Sequence, residues 1–180
     1  MAEQIKTTMT SAEFEALPES QKPTELIEGE LVVRGAPTVK HQTVVFNIAY
    51  LLRNNITNGQ VFISPISVKL NDANYYQPDV LWVNGINSNC TIGTGGIDGA
   101  PDLVVEVISP GTAKVDRGIK FDVYQDSGVR EYWIVEPEEE FVEVWELQSS
   151  LYVKLGLFTI QDTFMSPTLT AQIIVKDIFQ

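Results

Sequence analysis

The segment PDLVVEVIS, residues 101–109, constrains this chain more than any other. Apart from Glu106, every residue from Leu103 to Ile108 is Leu, Val or Ile, the pattern of a strand covered on both faces. Glu106 contradicts its neighbours. An ionised side chain inside such a strand is costly unless an opposite charge or a metal compensates it. A cation beside Glu106 is therefore expected even if the residue has no catalytic task. A second acid, Asp79, opens another short run of β-formers in QPDVLWV, residues 77–83.

A length of 180 residues with a 44% hydrophobic share suits one domain, residues 1–180, with a sizeable core. No apolar run approaches the roughly 18–20 residues a spanning helix needs. The N-terminal stretch MAEQIKTTMTSAEFEALPE has acids and polar residues where a secretory signal would carry a basic patch and an apolar block. The expectation is a cytoplasmic protein with no membrane partner. One cysteine, Cys90, cannot form an intrachain disulfide, and one histidine, His41, excludes a His-rich zinc site. Any metal must then be held mainly by carboxylate oxygens, which favours Mg²⁺, Mn²⁺ or Ca²⁺. The formal charge is −12, from 24 acids against 12 Lys plus Arg. That balance opposes a broad phosphate-binding surface and requires a local basic groove for any polyanion.

Along the chain, Thr10 or Ser11 with Glu13 forms a capping-box pattern ahead of a short helix that ends before Pro18. TELIEGELVVRG reads as a β-hairpin turning at Glu28-Gly29. His41, Val44, Val45, Ile48 and Leu52 recur with helical period, and Gly59 lies beyond the end of that helix. Residues 61–70 are rich in β-formers, with Pro65 marking an edge or a bulge. Ile86 to Ala100 is rich in Gly, Asn and Ser and reads as a flexible loop; its GTGGIDG resembles a phosphate loop only weakly, because no Lys-Ser/Thr pair follows. A helix is expected over roughly 113–127, closed by Gly128, with Val115, Ile119 and Val123 on its buried face. Three strands follow in VREYWIVEP, FVEVWEL and LYVKLGLF, and the tail with Leu169, Ile173, Val175 and Ile178 closes over the core.

Two carboxylates on neighbouring strands can seat one hard divalent ion without being close in sequence. Such an ion neutralises phosphate charge and acidifies water for hydrolysis. Asp79 and Glu106 are the candidate metal ligands, and Lys120 is the candidate cation beside them. The competing explanations are a turn aspartate for Asp79, a salt-bridged glutamate for Glu106, and a surface lysine paired with Asp116 for Lys120. Glu25, His41 and Gln77 are accessory candidates; a hairpin charge, a hydrogen-bonded boundary histidine and a polar strand start are their ordinary counterparts. Trp82, Trp133 and Trp145 alternate with apolar residues, which favours packing over base stacking.

These segments together resemble the Uma family of restriction-endonuclease-like proteins, within the PD-(D/E)XK nuclease superfamily. The resemblance runs from about Thr10 to Phe179 and is carried by ELIEGELV, the His41 helix, QPDVLWV, PDLVVEVISPGTAKVDRGIKFDVYQDSGVREYWIVEP and FVEVWEL. It implies an α/β (mixed α+β) fold: a restriction-endonuclease-like central mixed sheet flanked by helices, with the metal acids on adjacent core strands. It identifies Asp79 as the motif aspartate and Glu106 as the motif acid, and it places Glu25 and His41 at recurrent positions. One departure stands out. Ile108 occupies the position where the superfamily pattern has lysine, and the resemblance implies that Lys120 on the next helix replaces it.

The expected activity is that of a Mg²⁺- or Mn²⁺-dependent endonuclease acting on phosphodiesters, with DNA as the substrate and a homodimer as the assembly. The alternatives are a catalytically silent binding module on the same scaffold and a hydrolase of a small phosphorylated molecule.

Overall fold

The computed structural model describes residues 8–18, 22–86, 88–109 and 111–180. In chain order the elements are α1 (Ser11–Glu15), β1 (Thr24–Ile27), β2 (Glu30–Val33), α2 (Val39–Asn55), β3 (Gln60–Ile63), β4 (Val68–Asn71), β5 (Asn74–Tyr76), β6 (Val80–Val83), β7 (Asn89–Ile92), β8 (Ile97–Ala100) and β9 (Leu103–Val107). They continue with α3 (Ala113–Asp116), α4 (Ile119–Ser127), β10 (Glu131–Glu136), β11 (Phe141–Gln148), β12 (Leu151–Thr159), β13 (Thr163–Ser166), β14 (Ala171–Ile174) and α5 (Lys176–Phe179).

The central sheet has the order β12-β11-β10-β9-β6-β3 and is mixed, as expected: β9 and β10 run parallel, and the remaining neighbours are antiparallel. All five residues of β9 are buried. Alternate residues serve opposite faces. Val105 and Val107 join Trp133 and Val135 beneath Val44, Ile48 and Leu52 of α2, with Ile173 and Ile178 of the tail closing the same layer. Val104 and Ile108 join Tyr132, Ile134 and Tyr124 on the other face, so Glu106 points to that second side. A further six-stranded sheet, β2-β1-β5-β4-β8-β7, lies beyond it. Helix α4 sits between the two sheets. Its Tyr124 ring lies 5.1 Å from Tyr132 of β10 and 5.5 Å from Tyr76 of β5, centroid to centroid.

Local signals place many boundaries. Thr10 caps α1 through the reciprocal capping box with Glu13, and Glu28 and Gly29 turn the β1–β2 hairpin with φ of 48° and 77°. Pro65 follows β3, an edge strand of the central sheet. Two expectations need correction. Residues 86–100 contain the β7–β8 hairpin rather than an open loop. Gly96 makes the close approach possible, since a Cβ there would stand 2.5 Å from the Ser67 carbonyl oxygen; β8 can then pair parallel with β4. The helix expected over 113–127 is broken at Arg117-Gly118, and its buried residues are Asp116, Lys120 and Tyr124. Ile119 is 38% exposed, while Val115 and Val123 are only half-buried.

A buried polar anchor ties the tail to the sheet. Glu131 accepts hydrogen bonds from Trp133 Nε1 at 2.6 Å, Ser166 Oγ at 2.7 Å and the Thr168 amide at 3.0 Å. Burial raises its pKa, although these three donors pull the other way. For an acid held above its unfolded value, the folded state keeps the proton longer. Its stability contribution is therefore full below the unfolded pKa of about 4.3 and declines as pH rises through the folded value. Urea denaturation of the wild type and Glu131→Gln across this range is expected to show the wild type losing stability relative to the variant as pH rises. A difference that does not change with pH would refute this.

Candidate active site

Antiparallel pairing of β6 with β9 sets Val80 opposite Val105, so the residue before β6, Asp79, arrives beside Glu106. The Val107 amide donates to Asp79 Oδ2 at 2.8 Å, and His41 Nε2, from the first turn of α2, lies 3.3 Å from the same oxygen. Both contacts fix the carboxylate at the strand entrance.

Glu106 lies between β9 and α4. Its Oε1 accepts from Lys120 Nζ and from the Tyr124 hydroxyl, each at 2.7 Å. Lys120 Nζ also lies 2.8 Å from Glu25 Oε1, which comes from β1 in the second sheet. Glu25 Oε1 accepts the Gln77 amide at 2.9 Å, and the Arg34 guanidinium pairs with its Oε2. Asp116 Oδ1 stands 3.8 Å from Lys120 Nζ. The six residues singled out from sequence, Asp79, Glu106, Lys120, Glu25, His41 and Gln77, all line one cleft of about 550 Å³. Gln77 takes part through its backbone; its side-chain Nε2 reaches Ser67 Oγ at 3.4 Å.

Sequence reasoning missed three participants. Asp116 appears from sequence only as a surface partner for Lys120, and Tyr124 and Arg34 not at all. The available signal was the i, i+4, i+8 spacing of Asp116, Lys120 and Tyr124, which puts all three on one helix face.

The electrostatics follow from burial. Lys120 and Glu25 are each 1% exposed and Glu106 is 4% exposed. Burial alone would lower the lysine pKa, yet Glu106, Glu25 and Asp116 together hold it above the ordinary value. Lys120 is therefore a permanent cation at neutral pH. Burial would raise Glu25, but the charges of Lys120 and Arg34 and the Gln77 amide bring it below the usual carboxylate range. Glu25 supplies the matching negative charge. Burial pushes Glu106 up to about 8 despite Lys120, with Asp116, Asp79 and Glu25 adding to the rise. Burial also lowers His41, and the hydrogen bond and charge of Asp79 more than offset it.

The donor set fits a hard divalent ion. Among the described residues, the hydrogen bonds to the two acids fall on Asp79 Oδ2 and Glu106 Oε1, and Asp79 Oδ1 and Glu106 Oε2 remain for a ligand in the cleft. No group of three or more His, Cys, Asp or Glu side chains stands arranged for a metal among the described residues. An ion on these two acids would complete its shell with water or substrate oxygen, as Mg²⁺ commonly does.

Comparisons with known proteins bear on this site. Residues 11–175 match the family model Uma2, described as "Putative restriction endonuclease". The chain is 26% identical over 133 residues to the uncharacterized protein sll1609 of Synechocystis, across 71% of this chain and 75% of that one. It is also similar to the crystal structure of a "putative nuclease belonging to DUF820" from Anabaena variabilis, with a TM-score of 0.79 and 20% identity, over 95% of this chain and 97% of the other. At that identity the likeness is one of fold.

Removing one member of a buried charged cluster strands the others. Glu25→Ala, which leaves Lys120 and Arg34 short of a counter-charge, is expected to cost about 3–5 kcal/mol in urea denaturation. Lys40→Ala, which removes an exposed 3.2 Å pair with Glu138, is expected to cost about 1 kcal/mol or less. Equal losses would show that burial of the cluster carries no special weight.

Proposed function

The chain belongs to the Uma2 family, and on that premise we propose that it is a divalent-metal-dependent phosphodiesterase of the nuclease type, with nucleic acid, DNA in the first place, as substrate. The observation that carries this is the convergence of Asp79, Glu106 and Lys120, from three separate elements, on one cleft. In this proposal Asp79 and Glu106 hold one Mg²⁺ or Mn²⁺ ion. When bound, that ion supplies charge neutralisation for the phosphate and a more acidic water.

The chain's own groups then have distinct tasks. The Val107 amide and His41 orient Asp79, and Tyr124 and Lys120 orient Glu106. Lys120 acts as a fixed cation rather than as a base, because its three acidic neighbours keep it protonated. A positive charge preset near a phosphate that gains charge in the transition state needs no reorganisation during the reaction. Tolerance of Ile108 at the usual lysine position follows, since the ammonium reaches Glu106 from α4 instead.

One observation favours a second substrate class. The cleft is lined by Glu25, Asp79, Glu106, Asp116, Glu136 and Glu138 against Arg34, Lys120 and His41, and all three basic groups are already paired with acids. Such a lining repels the backbone of a long duplex more than a small phosphorylated molecule carrying its own cation.

Duplex DNA, single-stranded DNA and short nucleotides assayed side by side with MnCl₂ separate the two classes. In whichever substrate is cleaved, Asp79→Asn and Glu106→Gln are each expected to lower the rate at least about 10²-fold while circular dichroism stays unchanged. Cleavage at wild-type rate in both variants would remove this mechanism.

A further inference from the structure

Three acids from three elements surround one ammonium. Lys120 Nζ lies 2.7 Å from Glu106 Oε1, 2.8 Å from Glu25 Oε1 and 3.8 Å from Asp116 Oδ1. Asp116 is the informative member. It is 2% exposed, its Oδ1 has no hydrogen-bond donor among the described residues, and it lines the cleft. A buried carboxylate oxygen without a donor persists where a nearby cation compensates it, and the cation here is the same ammonium. The Tyr76 ring, with its centroid 5.2 Å from Nζ, adds a cation-attracting face.

We propose that Glu25, Glu106 and Asp116 form a second cation position of this site, and that the Lys120 ammonium is its resident occupant. The proposal rests on the Asp79–Glu106 seat described above and adds to it. Glu106 is shared, with Oε1 turned to the inner position and Oε2 left for the outer one. Two-metal phosphodiesterases clamp a phosphate between ions about 3.5–4 Å apart; in this chain one of the pair is tethered. Nitrogen-to-oxygen spacings of 2.7 and 2.8 Å are those of an ammonium, wider than the ~2.0–2.1 Å of Mg²⁺ and closer to the ~2.3–2.6 Å of Ca²⁺. Once the ammonium is gone, a divalent ion would need Glu106 and Glu25 to close by less than about 1 Å and Asp116, now 3.8 Å from the nitrogen, to close by more than about 1 Å. Lys120 is thus a positioning residue. It holds Glu106 and supplies a charge that does not dissociate.

Calorimetric titration with MnCl₂, run beside thermal denaturation of the full-length chain in EDTA and in MnCl₂, tests this with two variants. Lys120→Ala empties the inner position, and Lys120→Met fills it with an uncharged stem. The wild type is expected to bind one ion and Lys120→Ala one more. In Lys120→Ala, EDTA lowers Tm below wild type, and MnCl₂ raises it by more than it raises wild type. Lys120→Met is expected to show the lowered Tm without the extra ion or the extra gain. No additional ion in Lys120→Ala, or the same MnCl₂ response in all three proteins, overturns the proposal. Binding by Lys120→Ala alone, with none by the wild type, supports the inner position and removes the Asp79–Glu106 seat instead. Should Lys120→Ala be unfolded in EDTA, folding on addition of MnCl₂ counts for the proposal, and failure to fold in MnCl₂ counts against it.

Discussion

The requirement that no charge be buried alone organises this molecule. Glu106 lies in the central sheet, Glu25 in the second sheet, and the ammonium that satisfies both is carried by the helix between them. A buried ion pair adds little net stability compared with apolar residues of the same size, but breaking one is expensive. The Lys120 cluster therefore acts mainly as a specification. The layers must close in the one register that brings both carboxylates to the same nitrogen. Around it, Tyr124 and Tyr76 meet edge to face at 5.5 Å, so apolar packing continues up to the edge of the polar site.

The same cluster limits how an acidic chain could serve the phosphate chemistry proposed for it. The basic groups at the cleft, Arg34, Lys120 and His41, are all already held by acids. Little positive charge is left over to attract a polyanion from a distance, in keeping with the net charge of −12. Under the proposed function, a divalent ion brought to Asp79 and Glu106 would supply the missing charge. Steering of long nucleic acid would then be weak, and the site would discriminate through contacts made inside the cleft.

The departures from sequence expectation share a physical origin. In the 113–127 segment, Val115, Ile119 and Val123 form the apolar stripe that periodicity selects, yet Asp116, Lys120 and Tyr124 face inward. Hydrophobic period identifies the buried face only when the buried surroundings are apolar, and here the helix packs against two carboxylates. Gly118, where a Cβ would stand 2.8 Å from the Lys114 carbonyl oxygen, marks the break that sets this orientation. The β7–β8 hairpin escaped notice for another reason. Its strands are only four residues each, and β4, which pairs with β8, lies about thirty residues earlier.

Local sequence determined what local physics controls. The capping box at Thr10, the turn at Glu28-Gly29, helix α2 and the buried strand β9 follow from nearest-neighbour conformational preferences and hydrophobic period, and each was legible without coordinates. The mixed fold and the cation owed to Glu106 were legible too, the first through resemblance and the second through the cost of burying charge. Lys120 as the candidate for that cation came with the resemblance; tertiary structure alone decided that Glu25 shares it, and that Asp116, Tyr124 and Arg34 belong to the same cluster. Those facts depend on how β1, β9 and α4 cross in space, and pairing between distant strands leaves no periodic trace in a single sequence.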